Sequence, residues 1–160
     1  MDKTGLLEQL IALVTADLEK ARQAAAASAA GATHEENRAE GSKDMRATEA
    51  SYLARGQTLR VEELEETLNR VRFMPVAPFL ANTPISAGAL VSLEDEDGGT
   101  RHYWLVAGAA GYVLLYGDKS ITTITPQSPL GKELLERRVT DEVDLTIGGR
   151  RRQFEIVAVL

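Results

Sequence analysis

Two stretches of the chain space their apolar and small residues in alternating steps of four and three, and this repeat constrains the fold most. No proline occurs before residue 75, so long helices can run through both stretches. Steps of four and three place the repeated residues along one seam of a helix, which is typical of a coiled coil. The seam residues are Leu7, Ile11, Val14, Leu18, Ala21, Ala25 and Ser28, then Ala50, Ala54, Gln57, Val61, Leu64, Leu68 and Val71.

A short segment joins the two stretches, so the helices are expected to run antiparallel as a hairpin. Pairing the seams from their open ends inward places the fold-back near residue 39. Gly31 is predicted to end the first helix and Ser42 to cap the second, with a tip at about 32–43. The rise per residue of a helix then gives an arm of roughly 45–50 Å.

The predicted tip is acidic, because it contains Glu35, Glu36 and Glu40, with Asp44 just beyond. Two plain interpretations are open: the carboxylates are solvated turn residues, or Thr33 and Glu36 form a capping box. A long antiparallel helix pair can also serve as a dimerisation or spacer element. The hairpin alone therefore leaves the role of these acids undecided.

Apolar, β-branched and aromatic runs in the second half of the chain predict six short strands. One short helix interrupts them; Ser128 is its predicted N-cap, Pro129 its first residue, and it runs to about residue 137. The Gly148-Gly149 pair is a predicted hairpin turn. The strands are predicted at 89–93, 101–107, 112–116, 121–125, 143–147 and 153–159.

Prolines at 75, 78 and 84 separate the helical half from the strand-rich half. The predicted fold class is therefore α+β, with an antiparallel coiled-coil hairpin followed by a β-rich domain that contains one short helix. The predicted domains are the hairpin over 1–74, a linker over 75–84 and the β-rich domain over 85–160.

The net charge of −6 makes the chain a poor candidate for binding a nucleic-acid duplex by itself. A protein partner or a metal suits the surplus carboxylates better. There are no cysteines, which fits a reducing cytoplasm, and no apolar run approaches the roughly 20 residues that cross a bilayer. The two histidines, His34 and His102, fall in different halves, so no catalytic set is evident, and His102 is predicted to be a strand residue.

Residues 121–135, which read ITTITPQSPLGKELL, resemble the C-terminal signature of the GreA/GreB factors. The runs VTDEV at 139–143 and FEIV at 154–157 continue the resemblance. Upstream, ISAGALVSLEDED at 85–97 looks like the first strand of the same domain. Hairpin length, linker position and domain order also match, so the resemblance covers nearly the whole chain.

The resemblance implies an FKBP-like C-terminal domain that docks at the rim of the secondary channel of bacterial RNA polymerase. It implies that the hairpin enters this channel and contacts nascent RNA only indirectly. Such a factor is a cytoplasmic accessory protein, expected to be a monomer without membrane contact, that stimulates the polymerase's own RNA cleavage and is not itself an enzyme. The expected partner-binding residues are Ser128, Pro129, Leu130, Gly131 and Lys132.

In the family, two tip acids help to hold a second Mg²⁺ in the polymerase active site, and no cofactor is bound stably to the factor itself. Here Glu40 matches the first acid, Lys43 stands at the second position with Asp44 adjacent, and Ala47 replaces a tyrosine. Glu40 and Asp44 are therefore the predicted catalytic and metal-binding pair, with Glu36 as a further metal ligand. Hard oxygen ligands are those that Mg²⁺ prefers.

Three alternatives stay open beside this prediction. Lys43 could neutralise the tip, which would leave a regulator that binds the same channel without promoting cleavage. An FKBP-like domain could be a prolyl isomerase or chaperone, although its aromatic residues are few. The hairpin could also make the chain an adaptor with no polymerase role. The basic run Arg150-Arg151-Arg152 is interpreted as a charged hairpin tip or as a contact with polymerase or nucleic acid.

Overall fold

The computed structural model describes residues 2–36, 44–80, 82–147 and 149–160, with side chains described throughout these ranges except at 32–36, 44–47, 147 and 150. Two long helices come first, α1 (Lys3–Glu36) and α2 (Asp44–Arg72). Six strands and one short helix follow: β1 (Leu90–Asp95), β2 (Thr100–Leu105), β3 (Val113–Tyr116), β4 (Lys119–Ile124), α3 (Pro129–Leu134), β5 (Glu142–Ile147) and β6 (Arg150–Val159). The predicted α+β class is confirmed.

The chain divides into two compact units, one comprising Ala12–Asn69 and the other Met1–Ile11 with Arg70–Leu160. This division follows the density of contacts, so both α1 and α2 contribute residues to each unit. The domains predicted from sequence, 1–74, 75–84 and 85–160, stay a prediction.

In the unit formed by Ala12–Asn69, the predicted seam is the least exposed side of each helix. Its described members are all buried or half-buried, and the buried ones are Val14, Leu18, Ala21, Leu64 and Leu68. An ion pair also joins the helices, because Arg22 Nη2 lies 2.7 Å from Glu65 Oε1. Burial of the seam, with the surface ion pair adding little, holds the two helices together.

Two predicted helix ends were wrong. Helix α1 continues past Gly31 to Glu36, because a glycine inside a helix costs only about 1 kcal/mol and the alanine-rich run before it favours helix. Helix α3 ends at Leu134, short of the predicted residue 137. The reason is tertiary: the backbone N–H of Glu136 donates to Ile85 O at 3.0 Å, and Arg137 O accepts from Ile85 N at 2.8 Å.

The strands form one six-stranded sheet in the order β3-β4-β2-β1-β6-β5. Strands β2 and β4 are parallel, and every other neighbouring pair is antiparallel. Because side chains alternate along a strand, the sheet has two distinct faces. The face that presents Val91, Leu93 and Leu105 forms the main core, to which Leu134 of α3 and Phe154 of β6 also belong.

The opposite face of the sheet is buried as well, with Leu90 beside Trp104 and Leu114 beside Ile121 in the strand register. The first turns of α1 belong to the same unit and contribute the fully buried Leu6 and Leu10. At this end of α1 burial has moved by one residue from the predicted seam, since Leu7 and Ile11 are only half-buried. None of the described helices combines the length and apolar character that a bilayer crossing requires.

Candidate partner-docking site

The acids predicted to act at the hairpin tip fall at the junction of the two long helices. Glu36 is the last residue of α1 and Asp44 the first of α2, but their side chains are outside the described part of the chain. Glu40 and Lys43 lie in the segment 37–43, which is also outside it. The proposed metal-binding pair therefore stays a prediction. Within the described ranges, no group of three or more His, Asp or Glu side chains could hold a metal ion.

Ser128, the first of the predicted partner-binding residues, builds the start of α3. Its backbone is extended (φ −63°, ψ 155°), and its Oγ accepts a hydrogen bond from Gly131 N at 3.0 Å. The same hydroxyl donates to Thr125 O at 2.7 Å. This is the N-cap predicted from sequence, with Pro129 as the first helical residue. The local role of Ser128 is thus to close the turn between β4 and α3.

Gly131 also has a local structural role, because the backbone of Thr125, the residue that follows β4, passes directly beside it. A Cβ atom built at this position would lie far inside van der Waals contact with Thr125 O. Gly131 is itself buried. Any larger residue would have to push α3 away from the strand.

The other three residues of the predicted set differ in exposure. Leu130 is half-buried and packs against the main core, whereas Pro129 and Lys132 are exposed. Ser128 and Gly131 therefore shape the motif from inside, and Pro129 and Lys132 are the members exposed at the surface. Whether these residues bind a partner stays a prediction.

A groove of about 630 Å³ runs between α3 and the sheet. Its lining is mostly apolar, and it also includes two acidic residues and one lysine. The lining residues are Tyr103, Ile124, Ser128, Pro129, Leu130, Lys132, Glu133, Asp144, Leu145 and Thr146. Tyr103 is the single aromatic residue among them, so the described groove lacks the aromatic lining expected of a prolyl isomerase.

The sequence interpretation missed the sheet side of this groove. Tyr103 comes from β2, whereas Asp144 and Leu145 come from β5, and no local motif links them to α3. They meet because the strand order brings both strands onto one sheet with α3 across the core face. Only apolar alternation in β5 (Val143, Leu145) could have signalled which residues face the core.

The charges beside the groove are partly paired. Asp144 Oδ2 lies 2.6 Å from Arg151 Nη2, and the hydrogen bond from Arg151 lowers the pKa of the Asp144 carboxyl. Arg151 is thereby engaged within the β5–β6 hairpin, which supports the interpretation of the basic run as a charged hairpin. Arg152 is exposed, and the side chain of Arg150 is outside the described set.

A second, more polar hollow of about 430 Å³ lies where β2 and β4 run side by side. His102 lines it and lies in β2, as predicted, with its Nδ1 2.9 Å from Ser92 Oγ. Burial, aided by the charge of Lys119, lowers the pKa of His102, and Asp118 opposes the shift. The lowered pKa favours the neutral imidazole, and His102 is a cross-strand hydrogen-bonding partner of Ser92.

Comparison with known proteins gives one family match. The family described as "Transcription elongation factor, GreA/GreB, C-term" matches residues 80–160. The chain is 31% identical over 113 residues to transcription elongation factor GreA of Beijerinckia indica, and 33% identical over 113 residues to GreA of Methylobacterium sp. (strain 4-46). In both cases the match spans 71% of this chain and 66% of the relative.

Two solved structures were aligned with the chain. The crystal structure of GreA factor homolog 1 of Thermus thermophilus has a TM-score of 0.40 at 24% sequence identity, covering 94% of each chain. A GreA/GreB factor from Nitrosomonas europaea has a TM-score of 0.37 at 19% identity, covering 60% of this chain and 78% of that one.

Proposed function

We propose, on the premise that this chain belongs to the GreA/GreB family of transcription elongation factors, that it binds RNA polymerase at the secondary channel. There its acidic hairpin stimulates cleavage of backtracked RNA by the polymerase itself. The chain supplies metal ligands and positioning, while the reaction is the polymerase's own. The matched region spans 66% of its GreA relatives, so this activity is a proposal and not part of the family assignment.

The observation that carries the proposal is the pair of long helices with acids at their junction. A buried seam holds α1 and α2 together, and Glu36, Glu40 and Asp44 all fall between the last residue of one helix and the first of the next. Carboxylate oxygens suit Mg²⁺, and a second metal ion stabilises both the attacking and leaving oxygens in phosphoryl displacement. An acidic junction offered to the polymerase active site could therefore supply ligands to that metal.

The groove beside α3 supports the docking half of the proposal. Pro129 and Lys132 are the exposed members of its lining, and Ile124, Leu130 and Leu145 contribute apolar side chains to it. A cavity with an apolar centre and a few charged edge groups suits a protein partner, because apolar contact gives affinity and edge charges give orientation. We propose that polymerase binds this surface.

Lys43 favours a second candidate function, a regulator that occupies the same channel without promoting cleavage. An ammonium beside Glu40 and Asp44 in the sequence would compete with Mg²⁺ for the same oxygens. The two candidates share the polymerase partner and differ only in whether RNA is cut.

The deciding experiment measures binding and RNA cleavage together on backtracked complexes of core polymerase with Mg²⁺. For the leading proposal, the wild type binds and accelerates cleavage, and the Glu40→Ala, Asp44→Ala double variant binds equally but loses acceleration by on the order of 100-fold. Glu62→Ala, Glu63→Ala is the matched control, because it removes two exposed acids from the same hairpin. Binding without cleavage by the wild type supports the regulator, and absence of binding contradicts both.

A further inference from the structure

Lys3, on the first turn of α1, is a buried cation. Its residue is only 7% exposed, and its Nζ donates hydrogen bonds to Ala77 O at 2.9 Å and to Gly88 O at 3.0 Å. The ammonium also lies 4.6 Å from the centroid of the Phe79 ring. Two carbonyl dipoles and one aromatic face thus surround the charge, which is the arrangement that recognises an ammonium group.

No carboxylate neutralises this charge within the described part of the chain. The ion pairs found there do not include Lys3, and residues 74–89 contain no ionisable side chain. Asp2, its sequence neighbour, is occupied in accepting hydrogen bonds from the backbone N–H groups of Thr4 and Gly5. Burial accordingly lowers the pKa of Lys3 to about 8.

A buried charge without a counter-ion is an expensive way to stabilise a fold, and an apolar side chain of the same length would cost less. What the ammonium adds is selectivity for one position of α1 on the sheet. It is satisfied only where the carbonyls of Ala77 and Gly88 converge, and a shift of α1 by one turn would leave it buried and unpaired.

We infer that Lys3 is a positioning residue that holds the first turns of α1 in one register on the sheet. Its consequence for transcription rests on the proposed function, because α1 is also the first helix of the proposed channel-entering hairpin. The docking of α1 itself can be measured without polymerase.

Gln9 provides a second point of attachment about 9 Å further along the helix. Its side-chain amide donates to Leu115 O at 3.0 Å and accepts from Leu115 N at 3.1 Å. Two attachments at separate points, one near the start of β1 and one on β3, define both the register and the rotation of this part of α1. Lys3 differs from Gln9 because its ammonium is charged and buried, so leaving it without hydrogen-bond acceptors costs more free energy than leaving an exposed amide unpaired.

Trp104 offers an internal reporter of this site. Its indole Nε1 donates to Gly88 O at 3.2 Å, the same carbonyl that accepts from Lys3, and it is the one tryptophan of the chain. Its fluorescence emission therefore reports the surroundings of that carbonyl without any label.

The experiment compares the full-length wild type with Lys3→Met, and with Lys20→Met as the matched control, since Lys20 is an exposed lysine on the same helix. Trp104 emission, amide hydrogen exchange of residues 4–11 and the urea midpoint of unfolding are measured. In Lys3→Met, exchange at 4–11 becomes about tenfold faster and the Trp104 emission shifts, while the urea midpoint does not fall. Lys20→Met resembles the wild type.

Two results would overturn the inference. If local protection and the urea midpoint fall together, Lys3 is an ordinary stabilising contact; if neither changes, it has no role. Lys3→Gln, which keeps an uncharged N–H donor group for the carbonyls, should give intermediate exchange, and it also serves if Lys3→Met fails to fold. If these measurements show that Lys3 positions α1 but the chain has no effect on polymerase, the proposed function is contradicted and the inference about Lys3 stands.

A pH series gives an independent test. Because the pKa of Lys3 is about 8 in the fold and 10.5 when free, the unfolded chain binds the additional proton between these values. The urea midpoint of the wild type relative to Lys3→Met should therefore rise as the pH increases from 8 to 10.5. An unchanged difference over this range would contradict the burial of the charge.

Other ionisable groups near this end of the chain do not produce the same difference. The α-amino group titrates in part of this range but is present in both proteins. Asp2 and His102 titrate at lower pH, because both have lowered pKa values. Arg70 and Arg72, at the end of α2, are likewise present in both proteins.

Discussion

At position 131 there is no room for a methyl group. Because a Cβ atom would clash with Thr125 O, Gly131→Ala should force α3 away from the backbone that follows β4 and lower the free energy of unfolding by about 1–3 kcal/mol. Urea unfolding followed by circular dichroism measures this change. The N-cap bond from Gly131 N to Ser128 Oγ should weaken with it.

Gly56→Ala is the control for this prediction, because Gly56 is also a helical glycine, but apart from its own helical turn no atom lies within 4 Å of a Cβ built there. Gly56 lies inside α2, so alanine should raise the free energy of unfolding by up to about 1 kcal/mol. A Gly131→Ala protein as stable as the wild type would show that the β4–α3 turn can shift at little cost in free energy. Tight packing would then not be the reason for glycine at this position.

Strand β3 is an edge of the sheet, and α1 protects it at one residue. The amide of Gln9 makes the two hydrogen bonds with Leu115 that a neighbouring strand would make. Unpaired edges invite pairing with other chains, and the exposed Val113 and Leu115 side chains increase that tendency. The helix thus substitutes for a missing strand.

Gln9→Ala should therefore accelerate hydrogen exchange of the Leu115 amide and lower the free energy of unfolding by about 1 kcal/mol, since two exposed hydrogen bonds are lost. Gln9→Glu keeps an acceptor for Leu115 N but cannot donate to Leu115 O. Gln23→Ala, an exposed glutamine on the same helix, is the matched control. Unaltered exchange at Leu115 in Gln9→Ala would show that solvent replaces the amide without loss.

For the molecule as a whole, the proposed contact with polymerase depends on the surface beside α3. Lys132→Glu reverses an exposed charge there without touching the core, so it should weaken binding to core polymerase by about tenfold, with a smaller difference at high salt. Fluorescence anisotropy of a labelled chain measures the affinity. Equal affinity for wild type and variant would remove Lys132 from the docking surface.

Lys119→Glu is the matched control for charge. It makes the same reversal at another exposed lysine of the same unit, beside the polar hollow and away from α3. A general electrostatic effect would weaken both variants equally, whereas a docking surface beside α3 predicts loss only in Lys132→Glu.

Much of the architecture could be predicted because the spacing of apolar residues along the sequence indicates helices and strands. The steps of four and three give the seam of α1 and α2, and the Ser128-Pro129 pair gives the start of α3. All six strands lie within a few residues of their predicted positions. The misplaced helix ends show where local signals fail: Gly31 was outweighed by its helical neighbours, and α3 was shortened by the pairing of Ile85 with residues 136 and 137.

The sequence by itself determined the elements, the fold class and the family, and it located the acids between two helices. Only the tertiary structure decided how α3 and β5 make a groove and how Lys3 and Gln9 attach α1 to the sheet. The physical reason is the nature of the partners. Lys3 and Gln9 bond to backbone atoms 74 to 106 residues away, and every residue type carries the same carbonyl. Such contacts produce no recognisable sequence motif, and they form only once the sheet has assembled.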